Sequence, residues 1–209
     1  MKKSLTSLAI AALFGSSLVG IATHASAQSA TYSIEPTHTF VTWEAKHFGT
    51  STSRGRFDKK SGSITIDKTA KTGKAEIIID MTSMSTGVVP FDKHLTGKDF
   101  FAADVFPEAK FVGGGFKFDG EKLVEVSGNL TMKGKTNPVT LKATAFGCYQ
   151  NPFVKREVCG GDFETTITRS QYDMPYGTPG IPDNIRLLIQ VEAINQAAPA
   201  AAPAAAAAK

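Results

Sequence analysis

The chain has 209 residues, a length that suits one domain with a substantial core better than two. Its formal net charge is +4, with 23 basic and 19 acidic residues. No basic run stands out, so the sequence provides no clustered basic face for phosphates, and we exclude a nucleic-acid partner.

The first 27 residues have the three parts of a secretory signal peptide. Lys2 and Lys3 form its basic start, residues 5–21 its apolar segment, and residues 25–27 (Ala-Ser-Ala) its cleavage site. A membrane anchor is the alternative, but the apolar segment is short and rich in small residues. No later run approaches membrane-spanning length. We therefore expect a soluble, exported protein that starts near Gln28.

From Tyr32 onwards, apolar and polar residues alternate as they do in half-buried β-strands. In the first strand, for example, Val41, Trp43 and Ala45 share one face. The triple glycine at residues 113–115 predicts a bulge or bend. Alternation predicts about eight strands, in residues 38–47, 62–67, 74–81, 109–118, 124–132, 139–145, 163–169 and 185–193.

About eight strands joined mostly by short turns are typical of an all-β antiparallel barrel or sandwich. A closed barrel of this size either has a filled interior or holds one small ligand. Small residues on the inward faces leave room for a ligand or taper a packed core, and the sequence leaves both readings open. These small residues are Ala75, Gly128, Ala143, Ala145 and Ala193.

Residues 84–111 form the one long segment without alternation, and they carry five of the 14 phenylalanines. We expect a short helical insert near residues 91–105 that covers one end of the strands. Asp92, His94 and Asp99 lie among its aromatics, but no serine elbow or H-E-x-x-H motif accompanies them. We expect His94 to bond to Asp92 or to the backbone; contact with a ligand head group and catalysis are the alternatives.

Cys148 and Cys159 are the only cysteines. Export to an oxidising compartment favours a disulfide, and closing this short loop stabilises the fold by about 2–3 kcal/mol. A redox-active pair is more often spaced as C-x-x-C. At the C-terminus, residues 195–209 are almost entirely alanine and proline, which predicts a disordered or polyproline-like tail.

Arg169 falls on the inward face of its predicted strand. A buried arginine needs a partner, and we expect an acidic residue at the barrel end. Contact with an oxygen of a ligand head group is the alternative. His38 and His47 lie roughly 30 Å apart along a regular strand, too far to share a metal ion. We predict no metal site, no catalytic residue and no cofactor other than a bound lipid.

Several motifs occur along the chain in a fixed order. They are residues 32–47 (Y-x-I-x-P-x-H-T-x-V-x-W, then K-H), 55–57 (G-x-F), 92–111 (D-x-H-L, K-D-F-F, F-P-x-A-x-F), 128–136 (G-N-L-T-M-K-G-K-T) and 169–170 (R-S). Together they resemble the YceI-like family of lipid- or polyisoprenoid-binding proteins of the bacterial periplasm, and the resemblance covers residues 30–194, one domain. It implies an eight-stranded lipocalin-like barrel whose cavity holds an isoprenoid chain, such as a quinone or polyprenyl phosphate, so that the alternative partner of Arg169 is a phosphate or quinone oxygen. Asp173 stands where the family commonly has glycine, a position that an aspartate can occupy in the left-handed conformation at some cost.

The resemblance thus implies a periplasmic, non-enzymatic protein that sequesters or carries such a lipid. A filled-barrel stress or scaffold protein is the first alternative, and a small hydrolase or isomerase using His94 the second. A homodimer is left open. The expected lipid-binding residues are Val41, Trp43, Phe57, Ile77, Ile79, Phe91, His94, Leu95, Phe100, Phe101, Phe111, Leu130, Met132, Leu141, Ile167, Arg169, Leu187 and Ile189.

Overall fold

A computed structural model describes residues 29–197 of the chain. The predicted signal peptide and all but the first residues of the predicted tail lie outside this range. The described elements are β1 Ala30–Ile34, β2 Phe40–His47, β3 Ser51–Phe57, β4 Lys60–Asp67, β5 Thr72–Asp80, β6 Met84–Ser85, α1 Val89–Thr96, β7 Glu108–Asp119, β8 Lys122–Met132, β9 Lys135–Asn151, β10 Arg156–Thr168 and β11 Asn184–Asn195.

The strands close into an eight-stranded antiparallel barrel, as predicted. β1 and β2 both pair with β11, so they act as one interrupted strand, and β3 and β4 continue each other in the same way. The barrel order is therefore β1/β2, β3/β4, β5, β7, β8, β9, β10, β11 and back to β1/β2. At the break between β1 and β2, the Thr39 hydroxyl donates to the Glu192 carbonyl and accepts from the Glu192 amide, which keeps β11 bonded across the gap.

The two ends of the barrel differ. At the closed end, three short turns join β4 to β5, β7 to β8 and β9 to β10. At the other end, which we call the mouth, lie the β2–β3 and β8–β9 turns and two long connections. The insert, residues 81–107, joins β5 to β7 and contains β6 and α1; the mouth segment, residues 169–183, joins β10 to β11.

The helix is shorter than expected. It spans Val89–Thr96 rather than residues 91–105, and the Gly97 amide bonds to the His94 carbonyl where it ends. Residues 100–106 then form successive turns, with amides that bond back to carbonyls of residues 95–102. The β8–β9 turn is also tighter than the expected residues 133–138, because β9 begins at Lys135 and leaves only two residues for the turn.

Bulges in β7 and β9 change which side chains face inward. The bulge expected in the triple glycine is confirmed: Gly113 pairs with Gly128 and Gly115 with Ser127, which leaves residue 114 unpaired. A second, unexpected bulge lies in β9, where residues 143 and 145 oppose consecutive residues of β10. The extra residue reverses the alternation, so Ala145 is exposed, contrary to our expectation, and Phe146 packs inside.

Candidate functional site

The mouth half of the barrel encloses an apolar cavity of about 640 Å³, which we call the main cavity. All eighteen residues expected to contact a lipid line it. Strands β2 to β5 supply Val41, Trp43, Phe57, Ile77 and Ile79; the insert supplies Phe91, His94, Leu95, Phe100 and Phe101; strands β7 to β11 supply Phe111, Leu130, Met132, Leu141, Ile167, Leu187 and Ile189; and Arg169 opens the mouth segment. Whether these side chains bind a ligand stays a prediction.

Thirteen further residues complete the wall: Ala45, Lys46, His47, Phe48, Ser53, Met81, Ala109, Val139, Met174, Tyr176, Gly177, Ile181 and Ile185. Ala45, Met81, Val139 and Ile185 share the alternation of the predicted strands, so the period-two pattern contained the signal that finds them, although Met81 lies just after the end of β5. The residues of the mouth segment, by contrast, follow no period. Their place in the wall depends on how the segment folds back over the barrel.

Polarity in the main cavity is confined to its mouth. Lys46, His47 and Ser53 lie where β2 and β3 approach their turn, and His94 and Tyr176 lie on the insert and the mouth segment. The deeper wall, formed by the strands, is aliphatic and aromatic. The arrangement therefore suits an amphiphile whose chain lies inside and whose polar end stays at the mouth.

An aromatic trio bridges the insert and the mouth segment. The ring centroids of His94 and Phe100 are 5.0 Å apart, those of Phe100 and Tyr176 5.4 Å, and those of His94 and Tyr176 6.0 Å, all edge-to-face. Within residues 29–197, the His94 imidazole makes neither of the expected hydrogen bonds, to Asp92 or to the backbone: Asp92 instead accepts from the amide and hydroxyl of Thr86, both at 2.6 Å. The two residues therefore do not form an acid–base pair.

Arg169, 3% exposed, is held by the mouth segment itself. A guanidinium has five N–H donors, and all five are used. They donate to the carbonyls of Met174, Tyr176, Ile181 and Pro182 and to the Thr178 hydroxyl. The partners are therefore carbonyl and hydroxyl oxygens and not the expected carboxylate; Asp183 accepts from the amide and hydroxyl of Ser170.

The burial and hydrogen bonding of Arg169 affect both its pKa and its access to a ligand. Burial lowers the pKa of Arg169, while the nearby Asp183 carboxylate acts in the opposite direction. Because no donor of Arg169 is free, contact between its charge and a ligand head group would require one of the five bonds to break. Arg169 therefore shapes the mouth by fixing the backbone on which Tyr176 and Ile181 are carried.

Asp173 adopts the left-handed conformation expected of a residue in a glycine position. Its φ and ψ are 54° and 44°, and it ends the short 3₁₀ turn that begins at Arg169. Lys133 donates to its carbonyl at 2.8 Å, and the Lys135 ammonium lies 3.3 Å from its carboxylate. These contacts connect the β8–β9 turn to the mouth segment.

Gly55 makes room for the tryptophan of the cavity wall. It lies opposite Trp43 in the β2–β3 ladder, and a Cβ atom added there would be 2.6 Å from the Trp43 ring. The indole therefore packs directly on the glycine backbone and is 7% exposed. This contact gives the Gly55-x-Phe57 motif a physical basis.

Cys148 and Cys159 are direct partners in the β9–β10 ladder, with Cα atoms 4.1 Å apart and sulfur atoms 2.06 Å apart. The geometry thus accommodates the predicted disulfide. Together with Glu157 they form the single cluster of three metal-type side chains within residues 29–197. Sulfur atoms bonded to each other offer no thiolate to a metal.

Within the same described range, no helix has the length and apolarity needed to cross a membrane.

Comparison with known proteins gives consistent matches. A family model described as "YceI-like domain" matches residues 32–193. A UPF0312 protein of Pseudomonas putida strain GB-1 is 36% identical over 178 residues, which cover 81% of this chain and 89% of the relative. Protein YceI of Escherichia coli O157:H7 is 33% identical over 199 residues, covering 94% of this chain and all of the relative.

Solved structures share the barrel. BcnA of Burkholderia cenocepacia is 25% identical, with a TM-score of 0.63, and the match covers 76% of this chain and 98% of BcnA. A polyisoprenoid-binding domain of Saccharophagus degradans, implicated in plant cell wall breakdown, is 17% identical, with a TM-score of 0.55 over 78% of this chain and 98% of that domain. At that identity the second likeness establishes the fold alone.

Proposed function

Because the chain belongs to the YceI-like family, we propose that it binds an isoprenoid-type lipid, such as a quinone or a polyprenyl phosphate, and sequesters or carries it in the periplasm. The observation that supports this most directly is the main cavity, about 640 Å³ of apolar space that becomes polar only at the mouth. This volume lies within the range typical of small-molecule sites.

The driving force for such binding is hydrophobic. Each methylene that moves from water into the cavity contributes about 0.8 kcal/mol before the cost of ordering the ligand. At the mouth, Lys46, His47 and Ser53 provide donors for an oxygen-bearing head group. A cavity of this size also argues against the alternative of a filled barrel. The alternative of a hydrolase or isomerase using His94 draws no support from a His94–Asp92 contact, because Asp92 accepts from the amide and hydroxyl of Thr86 instead.

Native mass spectrometry of the mature protein, purified without detergent from a periplasmic fraction and followed by organic extraction, tests the proposal. We expect one isoprenoid per protein. Added prenols and quinones should also change the fluorescence of Trp43, the only tryptophan, because its indole lines the cavity. Protein that carries no lipid and shows no fluorescence response to either ligand class would refute the proposal.

Two variants of β2 make this test specific. Ala45→Phe places a phenyl ring in the main cavity, since Ala45 belongs to its wall. We expect it to weaken lipid binding at least tenfold. Thr42→Phe is the matched control, because Thr42 is not part of the cavity wall, and we expect it to bind lipid as the wild type does. Equal binding by both variants would place the lipid elsewhere.

Cysteine oxidation tests the proposed compartment. In protein taken from the periplasm, Cys148 and Cys159 should resist alkylation until a reductant is added, because oxidising compartments preserve disulfides. The measurement is the mass added by an alkylating reagent before and after reduction. Free thiols in freshly isolated protein would contradict the assignment.

A further inference from the structure

The edge of the mouth carries exposed aromatic side chains on two neighbouring segments. Phe48, in the β2–β3 turn, is 68% exposed, and Tyr176, in the mouth segment, is 51% exposed. Residues 48–50 and 175–179, which we call the rim, are all exposed and include no charged residue. Exposed apolar side chains that lie singly are ordinary, whereas a contiguous patch marks a surface that meets a protein or a membrane.

The fold holds the Phe48 ring against the mouth segment. Its φ is 47°, in the left-handed region that a bulky side chain rarely adopts. Its amide donates to the Gly180 carbonyl at 2.8 Å, and a Cβ atom added to Gly180 would be 2.5 Å from the Phe48 ring. The two segments of the rim therefore form one surface. A backbone kept in so unfavourable a conformation points to a function for the residue that adopts it.

The rim is continuous with the main cavity. Phe48 and Tyr176 are exposed on the outside of the protein, and both also belong to the cavity wall. Apolar surface therefore leads from the rim into the cavity. A lipid chain that passes from a bilayer to the cavity at this point stays in contact with apolar side chains and avoids the free-energy cost of transfer through water.

The charges beside the rim suit a lipid surface. Asp173 and Asp183 flank the exposed stretch of the mouth segment in the sequence, and both have cationic neighbours: Lys135 lies 3.3 Å from Asp173, and the Arg169 charge acts on Asp183. Lys46 is exposed at the mouth. At a bilayer surface, aromatic side chains lie at the level of the head groups, and lysine is attracted to anionic lipids.

We propose that the rim docks on the surface of a lipid bilayer, with Phe48 and Tyr176 inserted at the level of the head groups and the mouth turned towards the membrane. This inference goes beyond the proposed function, because docking requires no ligand in the cavity. The closed end offers an internal comparison. Phe153, in the β9–β10 turn, is 90% exposed, but it is not part of the main cavity wall.

Flotation of the mature protein with vesicles of phosphatidylethanolamine and phosphatidylglycerol measures docking. We expect the wild type to float with the vesicles, and Phe48→Ser to reduce its affinity for them about tenfold, because the variant lacks the apolar area that the ring buries in the bilayer. Phe153→Ser is the matched control and should bind as the wild type does. If Phe153→Ser lost binding and Phe48→Ser kept it, the closed end and not the rim would face the membrane. A wild-type protein that stays in solution also overturns the inference, whether or not it binds prenols and quinones.

Tryptophan probes test the same contact without removing an aromatic ring. In a Trp43→Phe background, Phe48→Trp places the only indole at the rim, and Phe153→Trp places it at the closed end. Phospholipids with brominated acyl chains quench an indole that reaches the boundary between head groups and chains. We expect vesicles of these lipids to lower the emission of the rim probe by about half and to leave the closed-end probe unchanged. Quenching of the closed-end probe alone, or of neither probe, would overturn the inference.

Discussion

Replacing Arg169 with lysine should remove part of the hydrogen bonding that holds the mouth segment. The guanidinium makes five hydrogen bonds to that segment, whereas an ammonium group has at most three donors. At least two oxygen acceptors therefore lose their partner. Each buried acceptor left unsatisfied costs about 1–3 kcal/mol, so we expect the free energy of unfolding to fall by about 2–6 kcal/mol.

Urea denaturation followed by circular dichroism measures this loss. Arg186→Lys is the matched control, since Arg186 is half exposed and its partners Glu44 and Glu164 lie on the barrel surface. Exposed ion pairs contribute little, so the control should lose less than about 1 kcal/mol. If Arg169→Lys were no more destabilised than the control, the five hydrogen bonds of Arg169 would not hold the mouth segment, and the reasoning would be wrong.

Two further predictions concern Gly55 in β3 and Glu35 between β1 and β2. Gly55→Ala should cost about 1–3 kcal/mol of stability and shift Trp43 emission, because the new Cβ atom overlaps the indole, whereas Gly114→Ala, with no atom within 4 Å of its Cβ, should be near neutral in the same denaturation assay. Burial raises the pKa of Glu35, but hydrogen bonds from Thr37 and His38 outweigh it and lower the pKa to about 2. Because this value is below that of the unfolded chain, about 4.3, the carboxylate stabilises the fold above pH 4.3 and ceases to do so as the pH falls towards 2. The stability difference between wild type and Glu35→Gln should therefore shrink between pH 5 and pH 2, and a difference independent of pH would rule out this source of stability.

Alternation was sufficient to predict a barrel or sandwich of about eight antiparallel strands, because it reports directly which side chains face inward, and the family resemblance then favoured the barrel. It was wrong about Ala145, since one extra residue in β9 reverses that alternation and no side-chain pattern marks the position. The bulge in β7 was predictable because three consecutive glycines mark it. Backbone irregularities are therefore visible in the sequence only where they require an unusual residue.

Prediction of the site depended on a similar distinction. The strand residues of the cavity wall follow the period of two, so their common face was apparent before the structure. The environment of Arg169 was not, because its acceptors are mainly carbonyl oxygens of an aperiodic segment, and carbonyls are the same in every residue. The sequence identified an inward arginine that needed partners, but only the folded segment reveals which atoms they are.

The closure of the barrel through β1 and β11 has a consequence for how the protein acquires its cavity. Tyr32 pairs with Asn195. The edge of β1 that faces β11 therefore remains unbonded until almost the last residues of the domain are available. Such long-range pairing makes folding slow compared with that of proteins dominated by local contacts. In a chain whose N-terminal residues become available first, the sheet stays open until residues 184–195 are available. The enclosed volume therefore requires residues 184–195, and a ligand that needs an enclosed cavity has no complete site in a chain that lacks them.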